Sequence, residues 1–290
     1  MRISYWPESV AQNGKIPYTA FLESLQNQGY HLVKENMAAD AAVIWSVLWH
    51  GKMSANRQVW ENYRKSNRPV LVLEVGCIRR GTTWRVGLNG INRSAYFGAA
   101  NMDNTRANNI GLTAAPWRHS GDHVLICTQH THSQQWENMP NLDQWLMQTI
   151  ETVQQHSKRD IIVRPHPRCR TPQVEQNYRN VFRQEPKHCA GTYDEFDLTF
   201  SNAHAVINWS SNPGVQAVLN GVPAFVGPNS LAYAVAEHRF DCIEQPRFCD
   251  RTQWINDLAW TEYTVEEIAE GMPLSRLRQT LNTNIIDAVV

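Results

Sequence analysis

Asp160-Ile161-Ile162-Val163-Arg164-Pro165-His166-Pro167-Arg168 reads as a short buried strand running straight into a rigid basic loop. Three successive apolar residues fit a strand covered on both faces. Pro165 and Pro167 fix φ on either side of His166 and remove two backbone donors, so the segment continues neither as a helix nor as a central strand. The loop therefore offers Arg164, His166 and Arg168 from a stiff backbone, a set of donors suited to phosphate oxygens; a solvated basic turn is the plainer alternative. The rhythm around this segment is the same in both directions. Strands are expected at His123–Cys127, Ala203–Asn208 and Pro223–Val226, with helices at Leu142–Gln155, Val174–Phe182, Pro213–Leu219, Trp254–Trp260 and Glu266–Gly271. Earlier in the chain, strands are expected at Ile3–Trp6, His31–Val33, Ala41–Leu48 and Pro69–Leu73, and helices at Tyr18–Gln28 and Ala55–Lys65. Such alternation predicts an α/β fold with parallel sheets. Asn101–Gly121, rich in Asn, Gly and Pro, reads as a linker, which gives two domains, 1–120 and 121–290, facing a cleft. Ligands are then expected beyond the carboxyl ends of the strands.

Three further polar groups fall at such ends. Asn208-Trp209-Ser210-Ser211-Asn212-Pro213-Gly214 has the residues of a helix start, with Ser and Asn as caps and Pro in the first turn. The helix behind it stops at Gly221, and its amino end either binds an anion or is merely capped. Gln129-His130-Thr131-His132-Ser133 follows the strand His123–Cys127. Its two histidines lack a companion carboxylate or cysteine, so a donor-contacting loop is preferred to a metal site. Glu74 ends the buried strand Pro69–Leu73, where a carboxylate is well placed for general-base work. The stretch after it carries Arg79, Arg80, Trp84, Arg85, Asn89 and Arg93 among four glycines, a mobile and basic loop able to hold an anionic acceptor. A structural ion pair of Glu74 with Arg79 or Arg80 is the alternative. Asp103, Arg106 and Arg118 in the linker are further candidates for the cleft.

The 290 residues include 27 basic and 27 acidic side chains, a formal charge of zero that argues against a surface uniformly basic for nucleic acid but leaves room for a local groove. Six scattered cysteines form no CxxC pair and read as free thiols. His238, Cys242 and Cys249 match no common zinc spacing. No apolar run approaches the ~20 residues needed to span a bilayer, and the first residues lack a secretion signal, so a cytoplasmic location is expected. Eleven tryptophans are enough both to fill a core and to stack on rings in a ligand.

Taken in order, these motifs resemble the GT-B glycosyltransferases, and within them the capsule-polysaccharide group that includes the Kdo transferases. That group carries an E-x-G-x-x-R segment followed by G-x-N-G, matched here by Glu74, Gly76 and Arg79, then Gly87, Asn89 and Gly90. Its R-x-H-P loop is matched by Arg164, His166 and Pro167, and its paired serines and G-x-P turn by Ser210, Ser211, Gly221 and Pro223. Where such enzymes often place a glutamate in the helix after the serines, this chain has Gln216. The resemblance implies two Rossmann-like domains. It implies a nucleotide-sugar donor, a UDP-sugar by expectation, held in the second by Gln129, His130, Ser133, Arg164, His166, Arg168, Ser210, Ser211, Asn212 and Gln216. It implies an acceptor held in the first by Arg79, Arg80, Trp84, Arg85, Asn89 and Arg93, with Glu74 as the base of an inverting, metal-independent transfer. The run Leu73–Asn92, with Pro116-Trp117-Arg118 and Asn220–Leu231, also looks like proteins encoded by tailed bacteriophages. In that setting the acceptor is a 5-hydroxymethyl-pyrimidine in DNA, hydroxymethylcytosine for example, and the location is the host cytoplasm. A capsule or surface saccharide is the alternative acceptor. A nucleotide-sugar binding module and an epimerase are alternatives of other classes.

Overall fold

The computed structural model describes residues 1–190 and 196–283. The chain runs β1 (Arg2–Tyr5), α1 (Lys15–Asn27), β2 (His31–Lys34), β3 (Ala41–Trp45), α2 (Asn56–Lys65), β4 (Val70–Val75), β5 (Trp84–Leu88) and α3 (Thr105–Asn109). It continues through β6 (His123–Cys127), α4 (Leu142–His156), β7 (Asp160–Arg164), β8 (Val181–Arg183), β9 (Ala203–Asn208), α5 (Asn212–Leu219) and β10 (Ala224–Val226). It ends with α6 (Thr252–Leu258), β11 (Glu262–Tyr263), α7 (Val265–Ala269) and α8 (Met272–Thr283).

Two compact units result, both α/β with a largely parallel sheet. Among the described residues, the first holds Met1–Ile110, His132–Gln134 and 256–283; the second holds Gly111–Thr131, 135–190 and 196–255. The sequence reading carried the second half through to residue 290, whereas β11, α7 and α8 group with the first unit. The sheet order in the first unit is β11-β5-β4-β3-β1-β2, with β1 to β4 parallel and β5 and β11 antiparallel at one edge. Strand β4 shows why a near-continuous apolar run is needed. Leu71 and Leu73 face a core with Phe21, Leu25 and Leu277, while Val70 and Val72 face one with Val59, Trp60 and Tyr63. Helices thus cover both faces, as parallel sheets require.

The second sheet has the order β10-β9-β6-β7-β8, all parallel. The chain steps outward from β6 to β7 and β8, then returns to place β9 on the other side of β6. The crevice between β6 and β9 is therefore a topological switch point, where open α/β sheets bind ligands. Leu146, Ile150 and Val153 of α4 pack on Val124, Ile126, Ile161 and Val163.

Three expectations needed correction. Val174–Phe182 is not a helix: a single tight turn, Val174–Asn177, leads into edge strand β8. Part of the loop after Glu74 is a strand, β5, paired residue for residue with β4. The linker contains the short helix α3, and its Arg106 is buried, ion-paired to Glu267 and bonded to the Ala259 and Glu262 carbonyls. Among the described residues, no helix is long and apolar enough to cross a membrane.

Candidate functional site

In the first unit the centre is Glu74, near the carboxyl end of β4. Its carboxylate accepts from the Ser46 hydroxyl at 2.5 Å and from the Val75 N–H at 2.9 Å. Ser46 follows β3 directly and sits in the left-handed region at φ 66, an unfavourable conformation for a residue other than glycine and one that clusters at functional sites. It is held there by its own N–H on the Leu73 carbonyl, 2.7 Å, and by its hydroxyl accepting from the Leu48 N–H, 3.0 Å. Burial pushes the Glu74 carboxyl above the usual carboxylate range; the Ser46 and Val75 bonds and the charges of Arg85 and Arg80 oppose the rise. A carboxylate whose burial outweighs its hydrogen bonds is a better proton acceptor than one in water. Ser46 carried no motif and was absent from the sequence reading; a lone serine after a strand gives no signal without its backbone angle.

The expected acceptor residues divide. Arg79 and Arg93 are exposed and Arg80 is half-buried; Arg79 donates to the Ile110 carbonyl. Arg85 does not belong with them. It is buried, 2% exposed, with its guanidinium on the Glu262 carboxylate at 3.1 Å, the Ile91 carbonyl at 3.1 Å and the Cys77 sulfur at 2.9 Å. Trp84 packs partly buried against the first core. Asn89, at φ 60, exchanges bonds with the backbone of Val70 at the other end of β4 from Glu74, so it closes a turn at the amino edge of the parallel strands.

In the second unit the loops after β6, β7 and β9 are tied together at the carboxyl edge of the sheet. Thr128, after β6, accepts from the His166 N–H at 2.8 Å, and Gln129 accepts from the Ser210 N–H at 2.9 Å. The β6 loop is thereby stitched to the loops after β7 and β9. His130 is buried and meets His166 edge to face at 5.4 Å. The Arg168 N–H donates to His166 Nδ1 at 3.1 Å, which leaves the proton of the neutral ring on Nε2 as a donor. Ser211 is the N-cap residue of α5, but its side chain does not cap; its hydroxyl accepts instead from Asn208 at 2.9 Å. Asn212 opens the helix and Gln216 lies one turn along it, both half-buried. A helix amino end that its own N-cap serine does not cap keeps backbone N–H donors and a dipole suited to an anion.

Here too some expectations needed correction. Arg164 is buried, 7% exposed, and turned to the Gln184 side chain at 2.6 Å and the Thr199 carbonyl at 2.7 Å. It braces β7 rather than presenting its fork. Ser210 is buried with its N–H spent on Gln129. Ser133 belongs to the first unit, bridged to Leu48, while the Trp49 N–H donates to the neighbouring His132 carbonyl. The loop expected to act as one piece is therefore divided, with Gln129 and His130 in the second unit. Gln184, beyond the described sequence motifs, was missed because its role rests on a contact 20 residues away from Arg164.

Two α/β bodies, each built on a largely parallel sheet, give this chain a GT-B-like fold. Among solved structures the chain is similar to the beta Kdo 2,7 transferase of Thermosulfurimonas dismutans KpsC, at 15% identity and a TM-score of 0.53, covering 95% of this chain and 100% of that one. It is also similar to the beta Kdo 2,4 transferase of the same KpsC, at 12% identity and a TM-score of 0.51, covering 94% of this chain and 98% of that one. No family model matches the chain, and no curated protein matches it.

Proposed function

We propose that this chain is a glycosyltransferase that moves a sugar from a nucleotide-sugar donor, by preference a UDP-sugar, to a hydroxyl acceptor. The observation that carries the reading is the joining of three loops at the carboxyl edge of the second sheet, Thr128 after β6 bonded to His166 after β7 and Gln129 bonded to Ser210 after β9, next to an α5 amino end that Ser211 does not cap. The two similar solved structures, both Kdo transferases, support the same class. In the proposed reaction the acceptor oxygen attacks the anomeric carbon and its proton passes to Glu74. The bond from that carbon to the diphosphate oxygen breaks, and its electron pair leaves on the phosphate. His166 and the α5 amino end stabilise the charge that develops there. A single displacement of this kind inverts the anomeric centre, and the reading assigns no metal a part in it.

His166→Ala is expected to weaken binding of the nucleoside diphosphate about 10–150-fold, the equivalent of losing one charge-assisted hydrogen bond worth ~1.5–3 kcal/mol. Isothermal titration with UDP and the corresponding sugar nucleotides reads this directly. Unchanged affinity removes His166 from the donor site.

For the acceptor we favour the 5-hydroxymethyl group of a pyrimidine in DNA, supported by Arg79, Arg80 and Arg93 around the Glu74 loop. Arg85 no longer counts toward that surface. If those three arginines each neutralise a phosphate, log affinity for DNA falls with log salt at a slope of about −3. A slope near zero, with transfer to an oligosaccharide instead, selects a surface saccharide, the acceptor class suggested by the likeness to Kdo transferases.

A further inference from the structure

Glu74, Arg85 and Glu262 stand in one row across the first sheet. Glu74 on β4 lies directly opposite Arg85 on β5, and Arg85 lies directly opposite Glu262 on β11. Directly opposed residues of antiparallel strands put their side chains on the same face, a few ångströms apart. The row therefore reads minus, plus, minus, and one guanidinium stands between two carboxylates.

It serves one of them by direct contact. Glu262, 1% exposed, accepts from Arg85 at 3.1 Å and from the Cys77 N–H at 2.6 Å through one oxygen. Its other oxygen accepts from the Ile78 N–H at 2.9 Å and the Thr83 hydroxyl at 2.8 Å. Four donors thus converge on a single buried carboxylate, and three of them belong to the loop that follows Glu74. Gly76 fits this arrangement: a Cβ there would lie 2.4 Å from a Glu262 carboxylate oxygen and 2.4 Å from the Thr83 carbonyl. The glycine of the E-x-G-x-x-R segment is the clearance for a side chain 186 positions later in the chain.

We propose that Glu262 is the positioning residue of the Glu74 centre: it holds the Arg85 guanidinium and the Gly76–Thr83 loop to itself, so that Glu74 keeps a hydroxyl and an amide as its hydrogen-bond donors and stays available as a base. Without the Glu262 charge, the only carboxylate left beside Arg85 in the row is Glu74, and a guanidinium closing on it would quench its basicity. The charged and titratable groups that face Glu74 are Arg85 from β5 and Arg80 from the following loop, with the Ser46 hydroxyl from the end of β3. Those that face Arg85 are Cys77, Glu262 and Glu74. The inference rests on the glycosyltransferase reading for the meaning of the base, but the placement of charge does not.

The test is a titration of the Glu74 carboxyl by carbon NMR on glutamate-labelled protein, with Glu74→Gln to assign the signal. In Glu262→Gln the midpoint is expected to fall, with proton affinity at least about tenfold weaker, as a cation drawn to the carboxylate requires. In the double variant Arg85→Met with Glu262→Met, which replaces the buried pair by apolar side chains of similar size, the midpoint is expected to rise above that of the wild type. An unchanged midpoint in Glu262→Gln, or shifts of the same sign in both variants, overturns the proposal. Should Glu262→Gln fail to fold, the double variant decides, and a midpoint at or below the wild-type value overturns it. No substrate is needed, so absence of sugar transfer in the wild type defeats the functional reading while the titration still decides the role of Glu262. Where transfer is measured, the acid limb of kcat/KM is expected to follow the midpoint in each variant.

Discussion

Glu74→Gln is expected to lower the turnover of sugar transfer by ~10²–10⁴, the range typical of a positioned general base, while nucleotide-sugar binding stays within twofold of wild type. The amide keeps the size of the side chain and still accepts a bond from the Ser46 hydroxyl, so the loss isolates proton transfer. The pH dependence gives a second reading of the same residue. Burial holds the carboxyl above its ordinary range, so the wild-type rate is expected to rise with pH through an elevated midpoint, and this limb disappears in the variant. Stability runs the opposite way. A carboxyl whose folded pKa is raised binds its proton more tightly folded than unfolded, so its contribution is full below the unfolded value and is lost as pH climbs through the folded one. Glu74→Gln is therefore expected to gain in Tm relative to wild type as the pH moves from acid to neutral. A variant that transfers sugar at the wild-type rate means that another group takes the proton.

Trp45→Ala is expected to cost the first unit about 3–5 kcal/mol, much of the ordinary stability of a domain. Trp45 is 1% exposed and fills the core between β3 and the turn at Gly14, where a Cβ would stand 2.3 Å from its ring. Its carbonyl accepts from the buried Asn56 side chain at 2.6 Å, which also reaches the Ser9 carbonyl at 3.2 Å. Ser46, which holds Glu74, comes next in the chain, so a shift of the β3 end is carried to it directly. Urea unfolding followed by tryptophan fluorescence and by far-ultraviolet circular dichroism measures the loss, and activity is expected to fall with it at 25 °C. A change under 1 kcal/mol would mean that the surrounding side chains collapse into the space.

The strands of both sheets that are buried on two faces were legible from their apolar runs, β4, β6, β7 and β9 above all, because a parallel sheet under helices leaves no polar face to blur the pattern. The stop of α5 was legible too: Gly221 sits at φ 72, and the side chain of any other residue would strike the Pro116 carbonyl. Strand β5 was not. Its Arg85 and Gly87 read as an exposed, flexible loop, since nothing nearby in the sequence announces a carboxylate 177 residues on that makes the arginine a core residue. The same limit explains Arg164, whose partners Gln184 and Thr199 lie 20 and 35 residues later. Motif spacing located the correct strand ends for Glu74 and His166. It did not tell arginines that brace a sheet from arginines that meet solvent, because that difference is made by long-range neighbours.

Synthesis imposes an order on the first unit. Its edge strand β11 is specified only after every residue of the second unit has been added, so on the ribosome β5 emerges with an unpaired edge and Arg85 without its counter-ion. The base of the proposed reaction thus acquires its final surroundings last, when the polypeptide returns to where it started.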